Sequence, residues 1–518
     1  MLKTFIDCQK RHYSTTYRKR IRIRCRDGQL SVFTSYMSYT SYTTYTTYTM
    51  YTTHKQYTEE VTMIEFKEYD NLIEKVKKSG NEHVFNFWND LSHDEKLSLL
   101  KELEEINFDH LKNVHSSEFT SDFGEFKPAP FISISKCDEA AVCDIKKLGE
   151  DYIKSGKIAA FLVAGGQGTR LGHSGPKGKY PAGRISGKSL FQIFAEKIKK
   201  YSLKYETTIP WLIMTSKENH EETFSFFEEN NYFGLDKENV TLFSQNEIPS
   251  LSLEGKLILS HKNKIFKNPD GHGGSLTALR TNGILEKIKA IGIETISYFQ
   301  VDNPLVKIVD PLFIGYHLKH KSLVSSKAIL KAYPEERVGV FVEYNEGRKG
   351  IVEYSDLTPE QLNAVDEKGE LLYCGGNIAV HLFDINFLED ITGSDNALQY
   401  HKALKKIKTL NSDGSIKEID GNKFEKFIFD ALPLAQHSLI VETIREEEFG
   451  PIKNKEGVDS PQTSGDLMTN LYKSWLNKRG IVVPANVKNL EISPLIAVEA
   501  EDLSDGLTVS NEESVYVG

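Results

Sequence analysis

Between Phe161 and Gly178 the chain reads FLVAGGQGTRLGHSGPKG, and its glycines and cations are the residues most suited to chemistry. Gly165, Gly166, Gly168 and Gly172 fall within eight residues. Such spacing lets main chain approach a ligand closely, and the exposed N–H groups of a glycine turn form a nest for anions, usually phosphate. Arg170 and Lys177 add two fixed cations to that turn. A cradle of amides with two cations is what a polyphosphate needs. Two better-known loops do not fit. A dinucleotide fingerprint starting at Gly166 requires glycine where Leu171 stands, and a P-loop ending in Gly178-Lys179 requires Ser or Thr in place of Tyr180 and glycine in place of His173.

Further stretches carry groups of the right kind. Gln245 ends an apolar run and presents a donor and an acceptor on one amide, which suits a uracil edge. Asn268-Pro-Asp-Gly-His-Gly-Gly274 is a second glycine turn. Phe299-Gln-Val-Asp302-Asn303 reads as a buried strand ending in a carboxylate. Opposite a triphosphate loop, Asp302 is the natural place for Mg²⁺, with capping of the following helix as the competing role. For His272 the competing role is a turn histidine bonded to backbone.

The first stretch resembles the signature G-G-x-G-T-R-L-G, then P-K, of the nucleotide-sugar pyrophosphorylases, and is most similar to the eukaryotic-type UDP-N-acetylglucosamine (UDP-N-acetylhexosamine) pyrophosphorylases. Other segments resemble that family in the same order: Leu242-Phe-Ser-Gln245, Pro269-Asp-Gly-His-Gly-Gly274, Val301-Asp-Asn303, Ile351-Val-Glu-Tyr354, Gly375-Gly-Asn-Ile378, Glu425-Lys-Phe-Ile-Phe-Asp430 and Arg445 to Asn454. The resemblance implies a uridylyltransferase that joins UTP to N-acetylglucosamine-1-phosphate, giving UDP-N-acetylglucosamine and pyrophosphate, with Mg²⁺. It implies that Val163, Ala164, Gly165, Gly166, Gly168 and Thr169 bind the nucleotide, with Arg170 on the leaving phosphates and Lys177 at the α-phosphate. It further implies that Gln245, Gly271 and His272 contact the uridine part, that Asp302 and Asn303 serve metal or substrate, and that Glu353, Gly376 and Asn377 hold the sugar. Phe427 and Phe429 would wall the acetamido group and Lys453 would reach the sugar phosphate. Two positions depart from the pattern: His272 stands where animal-type members have asparagine, and Cys374 precedes the glycines where the family has Asn-Ala. A broader UDP-sugar or UDP-glucose pyrophosphorylase, or an inactive sugar-nucleotide-binding protein, remain as alternatives.

Placing these residues requires an α/β fold. Candidate strands at Ile158–Val163, Trp211–Thr215, Val240–Ser244, Thr295–Val301 and Ser326–Ala332 alternate with amphipathic stretches such as Ser189–Tyr201 and Leu276–Ala290. That alternation predicts a mostly parallel sheet covered on both faces, with ligands beyond the carboxyl ends of its strands. The resemblance makes this a Rossmann-like, GT-A-like nucleotidyltransferase domain over 126–440, followed by a small β-rich domain over 441–518 with strands at Ile481–Pro484 and Glu491–Ile496. Residues 63–125 read as helical: Ser92 and Glu95 form a capping box, and Leu97, Leu100, Leu103 and Ile106 share a face.

Residues 1–62 differ from the rest, with ten Lys and Arg against four Asp and Glu, and a tyrosine at every third position from Tyr36 to Tyr51. That period matches neither helix nor strand burial, so the segment is expected to be a low-complexity, unstructured extension, with a transit peptide or a natural start at Met63 as other readings. Overall, 64 Lys and Arg against 73 Asp and Glu give a net charge of −9, which does not favour nucleic acid as a partner. No apolar run is long enough for a membrane span. The five cysteines are scattered without a C-x-x-C pair, arguing against a disulfide scaffold or zinc site and for the reducing cytoplasm. Oligomeric state is left open by the sequence.

Overall fold

The structure, a computed structural model, describes residues 16–24, 30–40, 43–48, 66–117, 124–393 and 398–518. The chain divides into two compact units, Met1–Ser79 and Gly80–Gly518. In the first, Thr16–Arg24, Leu30–Thr40 and Thr43–Tyr48 form an antiparallel sheet, and helix α1 spans Asp70–Lys78. Strand thus occupies part of the extension expected to lack structure. Thr, Tyr and Ile favour extended backbone even where no apolar alternation marks a buried face. The rest of residues 1–62 lies outside the described residues.

In the second unit, Ser92 caps helix α2 (His93–Glu104) through the expected box: its hydroxyl accepts from Glu95 N at 3.3 Å, and Glu95 Oε2 accepts from Ser92 N at 2.8 Å. Leu100, Leu103 and Ile106 are buried, but Leu99 joins them in place of Leu97. Adjacent positions 99 and 100 both fall on the inner face because a core-facing stripe is wider than a single row.

A ten-stranded sheet organises this unit. Its strands are β1 (Phe126–Pro128), β2 (Ile158–Val163), β3 (Trp211–Thr215), β4 (Val240–Ser244) and β5 (Thr295–Gln300). They continue with β6 (Val324–Leu330), β7 (Val340–Tyr344), β8 (Lys349–Val352), β9 (Gly375–Asp384) and β10 (Ser438–Glu442). The main path runs β8-β7-β9-β5-β2-β3-β4. From β5 to β4 every pairing is parallel, so four carboxyl ends share one edge. Beyond β5 the ladder changes: β9 runs antiparallel to β5 and β6, and β6 runs parallel to β10.

Both faces are covered, which is why these strands read as continuous apolar runs. Ala160 and Leu162 of β2 join a core with Phe191, Phe194 and Ile198 of helix α3 (Leu190–Lys204). Ala159 and Phe161 join the opposite core with residues of α5 (Gly274–Thr281) and α6 (Ile284–Ala290). Between β3 and β4 lies α4 (His220–Glu229). The stretch expected as one amphipathic segment from Leu276 to Ala290 is split at Gly283, whose φ of 66° is left-handed.

The region from 441 carries its expected strands only as a short parallel pair, Asn489–Ile492 with Ser514–Val517. Ile481–Pro484 forms no strand, and the longest element is helix α7 (Pro461–Lys478). Ser460, proline at the helix start and a buried apolar stripe from Met468 to Leu476 explain the helix. This region grips the loop after Gly178. Glu491 Oε2 accepts from the backbone N–H groups of Ile185 and Ser186 at 2.8 and 3.1 Å. Arg184 reaches Asp466 Oδ1 at 2.7 Å and the Gln462 carbonyl at 2.7 Å. Among the described residues no helix is long and apolar enough to cross a membrane.

Candidate active site

The glycine turn begins where β2 ends. Ala164 N makes the last sheet bond, to Met214 O at 2.8 Å. The N–H groups of Gly165, Gly166 and Gln167 then make no hydrogen bond within the described residues, leaving a row of donors for an anion. Gly168 N donates to Gly175 O at 3.0 Å and Lys177 N to Gly166 O at 3.1 Å, folding Pro176-Lys177 back against the turn. Asn219, buried at the start of α4, donates Nδ2 to the carbonyls of Ala164 and Gly166 at 3.2 and 3.5 Å. It occupies the loop's acceptors and so fixes the loop's shape. Gly178 is confined: a Cβ there would overlap the Phe191 ring.

Asp302 leaves the neighbouring strand β5 on the same edge, because Val163 and Gln300 are paired in register. Lys177 Nζ lies 3.7 Å from Asp302 Oδ2, with each side chain 15% exposed. Burial pulls the Lys177 ammonium below its ordinary range; Asp302 opposes that pull, and the positive charges of Lys453 and Arg170 add to it. Asp302, Lys453 and Arg170 therefore all lie near enough to act on the Lys177 charge. Arg170 is exposed and Lys453 Nζ is 3.5 Å from Asp459 Oδ2. The helix after Asp302 is capped by Asp310, whose Oδ1 accepts from Leu312 N at 3.0 Å, so capping is not the role of Asp302.

Asn303 is held within the protein. It is 6% exposed; its Nδ2 donates to Glu448 O at 2.6 Å and its Oδ1 accepts from Gly450 N at 3.1 Å. Both ends of the amide are bonded to the loop that leads to Lys453.

Gln245 joins the glycine loop to the second turn. Its Nε2 donates to Gly271 O at 2.7 Å and Asp270 Oδ1 at 3.3 Å, while its Oε1 lies 3.1 Å from where a Cβ of Gly165 would stand. The donor is spent on the turn, so the amide oxygen is the group left beside the glycine loop. Asp270 is buried, which pushes its carboxyl up to about 7 against the pull of Lys426. Gly271 (φ +87°) and Gly273 admit the backbone of Lys426 and Phe427, which crosses them too closely for any Cβ. Gly273 N donates to Lys426 O at 2.8 Å, and Lys426 N donates to Asp270 O at 2.7 Å.

That crossing brings Phe427 and Phe429 onto His272. The His272 ring stacks on Phe427 at 5.4 Å and lies 5.8 Å from Phe429. Its Nδ1 accepts from Ile428 N at 3.1 Å, and burial holds its pKa down to about 4. His272 thus makes the backbone bond that the turn reading expected and stays neutral near pH 7. His401, which the sequence did not single out, packs on Phe427 at 4.2 Å and bonds Asp430 Oδ2 at 2.7 Å.

Glu353 and Asn377 meet at Gly339. Asn377 N donates to Gly339 O at 2.8 Å, and a Cβ on Gly339 would lie 3.5 Å from Glu353 Oε1. Burial raises the Glu353 carboxyl above its ordinary range, with Asp356 adding to the rise. Asn377 Oδ1 accepts from Ala379 N at 2.9 Å, and Ala379 has a φ of 55°, left-handed for a residue with a Cβ, where the β6–β9 register shifts. Gly376 is buried beside it. Strain of this kind, of order 1–3 kcal/mol, persists where surrounding structure requires it and is concentrated at functional sites. Burial also raises the Cys374 thiol, so it is a poor nucleophile at neutral pH.

Among the described residues no group of three or more His, Cys, Asp or Glu could hold a metal. Asp302 is a single carboxylate beside a cationic loop. That donor set fits a hard cation that arrives with phosphates and keeps most of its ligands from phosphate and water, as Mg²⁺ does. Gln245 links the glycine turn to the Asp270–Gly273 turn, and the crossing Lys426–Phe427 backbone links that turn to the aromatic group of His272, Phe427 and Phe429.

Residues 125–505 match the profile described as UTP–glucose-1-phosphate uridylyltransferase. The chain is 37% identical over 458 residues to UDP-N-acetylglucosamine diphosphorylase 2 of Arabidopsis thaliana, a match covering 83% of this chain and 90% of that protein. It is 35% identical over 459 residues to UDP-N-acetylglucosamine pyrophosphorylase of Saccharomyces cerevisiae, covering 82% and 95%. Among solved structures, the uridine diphosphate N-acetylglucosamine pyrophosphorylase of Trypanosoma brucei aligns with a TM-score of 0.77 at 28% identity, over 87% of this chain and 98% of that one.

Proposed function

The chain belongs to the UTP–glucose-1-phosphate uridylyltransferase family, and from that membership we propose that it is a UDP-N-acetylglucosamine pyrophosphorylase. It transfers uridylyl from UTP to N-acetylglucosamine-1-phosphate and releases pyrophosphate. The observation that carries this reading is the convergence of Arg170, Lys177, Asp302 and Lys453 on a glycine turn with unspent amides.

An oxygen of the sugar phosphate attacks the α-phosphorus of UTP in line. The new phosphorus–oxygen bond forms as the bond to the oxygen bridging the α- and β-phosphates breaks, and the electron pair leaves on pyrophosphate. Both reactants are anions, so the protein's work is positioning and charge neutralisation. The amides of Gly165 and Gly166 with Arg170 hold the β- and γ-phosphates. Lys177 neutralises charge at the α-phosphate. Lys453 orients the attacking phosphate. Mg²⁺, held through Asp302 and the phosphates, would supply further charge neutralisation. The wall of His272, Phe427 and Phe429 supports an acetamido group as the feature read on the sugar, with Glu353 and Asn377 on its hydroxyls.

The test is pyrophosphate release from UTP with N-acetylglucosamine-1-phosphate, N-acetylgalactosamine-1-phosphate or glucose-1-phosphate, with and without Mg²⁺. Turnover is expected to be fastest with an acetamido sugar. Arg170→Ala and Lys177→Ala should each lower kcat by about 10² or more. Near-native turnover in both variants would remove the mechanism, and a preference for glucose-1-phosphate would reassign the sugar.

A further inference from the structure

The loops carrying Asp302 and Lys453 come from chain segments about 150 residues apart, yet they are stitched together. Ile452 N donates to Asp302 O at 2.8 Å. One residue on, Asn303 takes Glu448 O with its donor and Gly450 N with its acceptor, spanning the turn that leads into Lys453. Beneath the turn, the Glu448 carboxylate receives Lys327 Nζ at 2.5 Å, with Lys307 Nζ 3.6 Å away, and the Thr443 hydroxyl donates to it. Lys327 also reaches Asp310 Oδ2 at 2.6 Å, and Lys307 reaches Glu447 Oε2 at 2.9 Å. Lys197 closes the other side by donating to Pro304 O and Val306 O at 2.6 and 2.8 Å. Lys327 and Glu448 are each 2% exposed at the side chain.

Ion pairs this deep gain little stability over an apolar core, because desolvation offsets their attraction. What they contribute here is direction: Lys327 and Lys307 tie β6 and the 303–310 segment to the 443–450 turn, and Lys327 also ties β6 to Asp310. We propose that Asn303 and Glu448 are positioning residues that lock the Lys453 loop against Asp302, and so fix how the sugar phosphate is presented to the nucleotide. This rests on the reading of Lys453 as the group that orients the attacking phosphate. A misplacement of about 1 Å can cost up to 10² in rate, so the clamp has something to act on.

The experiment is a double-mutant cycle on the full chain, with kcat and both KM values measured for UTP and N-acetylglucosamine-1-phosphate. Asn303→Ala should lower kcat about tenfold and raise KM for the sugar phosphate, with KM for UTP within about twofold of native. In a Lys453→Ala background the same substitution should cost less than about twofold, because the group it positions is already gone. Equal losses in the two backgrounds, with Lys453→Ala itself impaired, would overturn the clamp and leave the function standing. Native turnover in Lys453→Ala would fail the reading of Lys453 and overturn the clamp with it. Should Asn303→Ala not fold, Asn303→Asp keeps an acceptor for Gly450 N and sets a repelling carboxylate oxygen against Glu448 O in place of the donor; the same cycle then decides, non-additive loss supporting the clamp and additive loss overturning it.

Discussion

Lys177 sits among unequal neighbours, with one carboxylate at 3.7 Å and two cations opposing its charge. A polyphosphate reverses that balance by setting negative charge beside Lys177. Asp270 shows the opposite case, a carboxyl held near 7 by burial against about 3.9 in an unfolded chain. Its folded form keeps a proton that the unfolded form gives up, so the stability it contributes is complete below about pH 4 and is lost as pH rises through 7. Asp270→Asn should therefore be more stable than the native chain at pH 8, by about 2–4 kcal/mol, with the gain more than halved at pH 5. Urea unfolding at the two pH values measures this, and a gain independent of pH would count against it. Arg170, Lys177 and Asp302 were legible in the sequence because their chemistry is local: cations inside a glycine turn, a carboxylate at a strand end. Asn219 and His401 were not, since their partners lie far along the chain, at Ala164, Gly166 and Asp430. Nothing local to Asn303 marks residues 448 and 450 as the partners of its amide.

The glycine turn as an element has two kinds of glycine. At Gly178 a methyl group meets Phe191, which is fully buried in α3 and has nowhere to go. At Gly166 nothing lies within 4 Å of the added Cβ. Gly178→Ala is expected to cost about 1–3 kcal/mol by overpacking and to lower kcat by shifting Lys177. Gly166→Ala should leave stability within about 0.5 kcal/mol and raise KM for UTP by crowding the phosphates. Thermal unfolding with steady-state kinetics on both variants separates the cases, and equal stability losses would refute the distinction. The parallel strands β2 to β5 were readable because both faces are buried, which leaves uninterrupted apolar runs. β9 was harder to read: it opens on Gly375 and Gly376, carries a left-handed Ala379 and buries His381, so neither an apolar run nor an alternation marks it. The helix break at Gly283 escaped for a related reason, since one glycine within an amphipathic pattern is tolerated as often as it is a stop.

Among the described residues, burial holds His272 and His317 down to about 4 and His381 down to about 3. In an unfolded chain they titrate near 6.5. Their lowered values contribute stability that is present above about pH 6.5 and lost as pH falls through 4. Unfolding should take up about two to three protons from these residues between pH 6 and 5, and the unfolding midpoint should fall accordingly. A midpoint flat over that range after replacement of Asp270 would contradict their burial as neutral rings. The overall architecture was legible from alternating strand and helix patterns, while the helical character of the C-terminal region was not, because the resemblance there directed attention to short apolar segments.

Glu491, Asp466 and Gln462 hold residues 184–186, which bears on how this enzyme can be divided. A fragment that stops before Asn489 gives up the carboxylate that holds the main chain of Ile185 and Ser186, eight and nine residues past Lys177. The tail of the polypeptide is, in that sense, part of what shapes the loop that follows Lys177.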